Sequence, residues 1–152
     1  MKEEFAVAVK AIIHHQGKFL IVFKSKQEDI NPNTFDIPGG RIRFGEKLED
    51  ALKREVTEES GLEIKPLGII DAWTLVKGGN FQLIGITYAC EALTSDVRLS
   101  FEHLSFEWLD PKNETTMREY PRWLSSSIKK ALKIINEQNS GQNKESLFYS
   151  RI

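Results

Sequence analysis

The chain has 152 residues, 40% apolar and 28% charged, with a net charge of −1. These are the values of one globular domain with its own core, and they exclude a disordered chain and a bulk attraction to nucleic acid or membrane. No stretch is long enough to span a bilayer as a helix, and MKEEFAVAVK carries acids where a secretory leader is basic, so a soluble cytoplasmic protein is expected.

Phe5 to Ile13 and Phe19 to Phe23 are apolar, strand-like runs, and His14 to Lys18 between them reads as a hairpin turn. The two histidines show no metal-ligand spacing. Ser25 to Thr34 is polar, contains Asn-Pro-Asn, and reads as a loop. Lys24, Lys26 and Asn33 are either substrate contacts at the mouth of a site or parts of a plain solvated surface. Phe35-Asp36-Ile37 is a short strand leading into Pro38-Gly39-Gly40. Two glycines let the backbone approach a ligand closely, although a tight turn uses them too. Arg41 to Phe44 alternates and is expected to be another short strand, ended by Gly45.

Glu46 to Ser60 has no Pro and no internal Gly and is rich in helix formers, and Gly61 is a natural stop. At about 100° per residue, Leu48, Ala51, Leu52 and Val56 form one apolar stripe. Glu55, Glu58 and Glu59 fall on or beside that stripe, so a core-facing side ends in carboxylates. A carboxylate near a core must be paired, protonated or bound to a cation. Arg54 alone is too little cover for these acids, and a hard divalent cation such as Mg²⁺ takes oxygen ligands. A solvated acidic face is the alternative reading.

The wider spacing favours the cation. Gly40, Glu46, Arg54-Glu55-Val56, Glu58-Glu59 and Gly61-Leu62 resemble, at every fixed position, the Nudix hydrolase signature G-x5-E-x7-R-E-U-x-E-E-x-G-U, with U a bulky aliphatic residue. Pro38-Gly39 resembles the usual lead-in. The resemblance implies an α/β/α sandwich around a mixed β-sheet. It implies Mg²⁺-dependent hydrolysis of a diphosphate bond in a nucleoside diphosphate linked to another group, with Mn²⁺ as a substitute ion. It makes Glu55, Glu58 and Glu59 the metal ligands and Arg54 the residue that orients them. Gly39 and Gly40 adjoin the substrate, Glu46 caps or braces the helix start, and Gly61 is structural.

Downstream, Leu62 to Val76 contains strand-like pieces broken at Pro66-Leu67-Gly68, and Lys77 to Asn80 is a turn. Phe81 to Ala92 is apolar on both alternating faces, as in a central, doubly covered strand. Within it Cys90, the single cysteine, rules out an intrachain disulfide and reads as core filler. Trp73 reads as core or rim packing, with base stacking as the alternative. Ser100 to Leu109 resembles the late Nudix segment in which an acid-bearing loop precedes an aromatic strand. In that alignment Glu102 is the loop acid, an extra metal ligand or general base; one of the box acids or Glu102 takes the proton from water. His103 is a weaker candidate, and Glu107 faces solvent. Asp110-Pro111 opens a turn.

Pro121 to Asn136 has the spacing of an amphipathic helix that packs on the sheet. A single domain over residues 1–136 and a polar, mobile tail over 137–152 are therefore expected, with Leu147-Phe148-Tyr149 left open as a docking segment. Three subgroup tags are missing: a Pro about fifteen residues past the box, a Ser-Gln-Pro-Trp-Pro-Phe run, and a well-placed Tyr. A nucleoside triphosphate or nucleotide sugar is thus the favoured substrate. The partner is a small nucleotide. Nucleic acid is not expected, because Lys129-Lys130 and Lys133 form the only basic cluster, and a homodimer is open by family analogy. The alternatives are a nucleotide-sensing module of weak activity, an RNA 5′-end pyrophosphohydrolase, and a purely structural acidic helix.

Overall fold

A computed structural model describes residues 2–29 and 33–149. The first apolar runs become β1 (Glu4–His15) and β2 (Lys18–Phe23). Gln16 and Gly17 join them at positive φ, 50° and 80°. Such a two-residue loop matches the twist of its strands. The histidines expected in the turn instead close β1, with His14 buried and Nδ1 of His15 3.0 Å from the carbonyl oxygen of Ala92.

β3 (Phe35–Asp36) and β4 (Gly39–Arg41) follow, then α1 (Leu48–Ser60), β5 (Ile64–Lys77), β6 (Phe81–Ala92), β7 (Ser105–Leu109), α2 (Glu114–Arg118) and α3 (Arg122–Tyr149). The sheet is mixed, in the order β3-β2-β1-β6-β5, with β4 on β1 and β7 on β2. β1 runs parallel to β6; every other pairing is antiparallel. β4 lies beside Ala8 to Lys10 of β1, and β2 lies further along, so the sheet opens between them. Ile37-Pro38 crosses that opening, and the amide of Ala11 donates to the carbonyl oxygen of Pro38 at 2.8 Å. The candidate site forms around this opening.

Each face of the sheet carries a helix, giving the α/β/α sandwich. Ala51, Leu52 and Val56 of α1 pack on Val9, Ala11, Leu20 and Val22. Leu124, Ile128 and Ala131 of α3 pack on Ile12, Phe19, Ile21 and Ala89. Each fully buried Leu, Ile or Val contributes roughly 1.5–3 kcal/mol.

Several local expectations are corrected. The strand expected at Arg41 to Phe44 lies at Gly39–Arg41, because β1 sets the register there, and Phe44 is fully exposed. β5 is one continuous strand; Pro66 to Gly68 is absorbed as a bulge, with a second between Ile69 and Asp71. β6 is buried on both faces only in its C-terminal half. α1 starts at Leu48, and α2, capped by Asn113 accepting from the Thr116 amide at 3.2 Å, had no sequence signal beyond that cap. α3 does not stop at Asn136 but continues to Tyr149. Glu137 to Gly141 is exposed there, so that part keeps backbone hydrogen bonding without a packing face. The side chains of Leu147-Phe148-Tyr149 and residues 150–152, and Ile30 to Pro32 of the Asn-Pro-Asn loop, lie outside what is described.

Candidate active site

α1 carries the acids, and β4 meets them. Glu59 continues the buried stripe and is 7% exposed. Its Oε2 accepts the amide of Gly39 at 3.0 Å. Burial pushes its carboxyl up to about 7, against the opposing pull of the Gly39 amide and of Lys10. Glu55 lies against Gly40, where an added Cβ would come within 2.5 Å of its carboxyl group. Glycine is required here for close approach, because any larger residue would displace the acid.

Arg54 binds the acids together. Nε and Nη2 grip Glu46 through Oε1 at 2.6 Å and Oε2 at 3.0 Å. Nη1 donates to Glu55 at 2.9 Å and to Glu58 at 3.4 Å, and Nη2 also reaches the carbonyl oxygen of Arg41 at 3.2 Å. All the donor directions of a guanidinium fork are engaged. Its bonds, together with the Arg43 amide, lower the Glu46 carboxyl to about 2. Glu46 thus braces the helix start through Arg54, and Lys47, the residue at the N-cap, makes no side-chain cap bond. Glu58 is half exposed, with Arg43 3.9 Å away.

The end of α1 positions the Glu102 loop. Gly61 ends the helix at φ 71°, with its amide donating to Thr57. The amides of Arg98 and Ser100 then donate to the carbonyl oxygens of Ser60 and Glu59, at 2.8 and 3.0 Å. These bonds satisfy terminal helix carbonyls and tie the loop to the acidic helix. Glu102 is exposed on that loop, as is Glu107 on β7, and His103 is buried. Lys24 is exposed and 3.8 Å from Asp36; Lys26 and Asn33 are exposed.

Sequence reasoning missed Lys10 and Asp36. Nζ of Lys10 lies 3.3 and 3.4 Å from the Asp36 oxygens and 3.0 Å from the Ile37 carbonyl oxygen. The available signal was a lone lysine inside the apolar run FAVAVKAII. Both residues open onto a cleft of about 560 Å³ that also includes Asp71, Trp73, Thr87 and Trp123. Trp73 lies flat over Gly85, where an added Cβ would sit 2.0 Å from its ring, and its Nε1 donates to Thr87 at 3.1 Å. Trp123 stacks on Phe35 at 5.6 Å. A larger open depression of about 710 Å³ along α3, at Lys129, Lys133 and Glu137, is remote from these groups. Lys130, beside Lys129 in the basic cluster, is paired with Asp71. Cys90 is buried in the core, and its thiol is pushed well above its ordinary range by burial.

Residues 4–125 match the family profile described as the NUDIX domain. The chain belongs to the Nudix hydrolase family. It is 24% identical over 113 residues to a protein named nucleoside triphosphatase NudI from Escherichia coli, covering 67% of this chain and 79% of the relative. It is 27% identical over 127 residues to one named ADP-ribose pyrophosphatase from Methanocaldococcus jannaschii, covering 78% and 74%. Among solved structures it resembles the MutT protein from Methanosarcina mazei Go1, with a TM-score of 0.67, 25% identity, and coverage of 88% and 96%. A C. elegans Ap4A hydrolase shares the fold, with a TM-score of 0.61 at 18% identity, covering 88% and 98%.

Glu55 and Glu59 of the Nudix box therefore lie against Gly40 and Gly39 of β4. Among the described residues, no three His, Cys, Asp or Glu side chains are gathered closely enough to hold an ion outright. The donor set still fits a hard divalent cation. Glu59 is an oxygen donor whose burial disfavours its charge, and a cation would restore it. Glu55 and Glu58 are each held by Arg54 through one oxygen.

Proposed function

We propose that this chain hydrolyses the diphosphate bond of a nucleotide derivative, with a nucleoside triphosphate as the favoured substrate and a nucleotide sugar next. The observation that carries the reading is the contact between β4 and α1, where Glu59 is bonded to Gly39 and Glu55 is pressed against Gly40. The names of the relatives, a nucleoside triphosphatase and an ADP-ribose pyrophosphatase, support the nucleotide class.

Glu55, Glu58 and Glu59 would hold Mg²⁺, with Mn²⁺ as the alternative. When bound, the ion offsets phosphate charge and lowers the pKa of water. Arg54 fixes the approach of Glu55 and Glu58. Gly39 and Gly40 keep the backbone close to the reacting diphosphate. One of the box acids, or Glu102 on its tethered loop, takes the proton from the attacking water. The cleft with Trp73 and Trp123 receives the nucleoside.

The test is phosphate and pyrophosphate release from nucleoside triphosphates, nucleotide sugars, ADP-ribose and dinucleoside polyphosphates, with Mg²⁺, with Mn²⁺ and with EDTA. Metal-dependent turnover of one class, lost in Glu58→Gln with the fold intact, is the expected result. Near-normal turnover of that variant at saturating Mg²⁺ would refute the assignment.

A further inference from the structure

A second group of polar side chains borders Glu59 and takes no part in the Nudix box. Lys10 and Asp36 are among the charges that act on Glu59. Lys24 reaches Asp36 at 3.8 Å. Asp36 also accepts the Ile37 amide at 2.8 Å. Two lysines thus share one carboxylate.

The amide of Leu104 donates to the carbonyl oxygen of Phe23 at 2.9 Å, which holds His103 against the end of β2 next to Lys24. His103 is 4% exposed, and neither ring nitrogen has a hydrogen-bond partner among the described residues. Asp36, Glu102, Lys10 and Lys24 are the charges that act on it. A buried polar group left unmet destabilises the fold, so it calls for a partner that the described residues do not supply. The loop holding it is tethered to the end of α1, so its place relative to the acids is fixed.

We propose that Lys10 and His103, with Lys24 at the rim, form an anion seat for a phosphate group of the substrate, and that Asp36 aims the lysines while the seat is free. A diphosphate brought to a carboxylate cluster needs donors on its remaining oxygens. An ammonium and an imidazole N–H supply them without adding another acid. The substrate assignment rests on the hydrolase reading above, but the seat can be tested without catalysis.

The experiment is titration of imidodiphosphate, a non-hydrolysable diphosphate, into the whole protein with Mg²⁺, followed by calorimetry and by NMR of ¹⁵N-labelled histidine. We expect Lys10→Met and His103→Asn each to weaken binding about tenfold, and Lys10→Arg to restore most of the loss. In the wild-type protein, the ring nitrogens of His103 should shift as the site fills. Unchanged affinity in folded variants, a His103 signal that stays still at saturation, or no binding to the wild-type protein would each overturn the seat. Nucleotide turnover measured in parallel judges the hydrolase reading separately. Turnover with no effect of these variants on binding removes the seat alone.

Discussion

The amide of Gly39 donates to Oε2 of Glu59 at 3.0 Å, joining β4 to the last turn of α1. A strand residue without a side chain and a buried acid meet because each suits the other. Any side chain on Gly39 would strike the Val9 carbonyl oxygen of β1, and the buried Glu59 needs a donor.

That burial gives a pH prediction. The Glu59 carboxyl rises from an ordinary 4.5 to about 7, mainly through burial. Between those values the unfolded chain releases a proton that the folded chain keeps. Stability therefore falls as pH rises through this window, by about 3 kcal/mol once pH exceeds 7, at roughly 1.4 kcal/mol per unit. In EDTA, Tm of the wild-type protein should drop relative to Glu59→Gln from pH 4.5 to pH 7, and Mg²⁺ should remove the difference. Parallel Tm profiles would count against a buried, strained acid.

Arg54 is expected to tolerate no substitute. Its fork grips both oxygens of Glu46 and spans Glu55 and Glu58. Lysine carries the charge but cannot reproduce a planar, multiply bonded fork. Arg54→Lys should lower kcat about 10- to 100-fold and raise the Mg²⁺ concentration needed for half-maximal rate. A variant within threefold of wild type on both measures would show that the fork is dispensable.

The adjacent glycines should fail in different ways. An added Cβ on Gly40 meets the Glu55 side chain at 2.5 Å, whereas one on Gly39, at φ 147°, meets the Val9 carbonyl oxygen at 2.1 Å. A carboxylate can move and a strand backbone cannot. Gly40→Ala should keep the fold and lose most activity through Glu55. Gly39→Ala should lose about 2–4 kcal/mol of stability as β4 is forced from β1. Thermal melting and turnover, measured on both, separate the two; equal losses of Tm would contradict this account.

These residues also show what was legible in the sequence. The box was visible because its spacing is local: one helix carries Glu55, Glu58 and Glu59, and periodicity placed Ala51, Leu52 and Val56 in the core. Lys10 and Asp36 were not visible as a pair, because 26 residues separate them and the opening of the sheet brings them into contact. The strand at Gly39–Arg41 was displaced for the same reason, since β1, not local alternation, sets its register. The loop of Glu102 was placed by alignment, but its tether to the carbonyls of Glu59 and Ser60 is a tertiary contact without a local signal. Polar residues after Asn136 suggested that the helix stops, yet polarity removes only the packing face.

The cleft yields the last prediction. Trp73 is fixed by the lack of a side chain on Gly85 beneath it and by its bond to Thr87; Trp123 is 49% exposed and backed by Phe35. Stacking of a base on an aromatic ring is worth about 1–3 kcal/mol, a factor of roughly 5 to 150 in affinity. Trp123→Ala should therefore raise KM for the nucleotide at least fivefold with kcat within twofold. Gly85→Ala should do the same by lifting Trp73 from its place. Neither change touches a phosphate, so imidodiphosphate affinity should stay at the wild-type value. A fall in kcat at constant KM would move the nucleoside out of this cleft and leave the two tryptophans as packing alone.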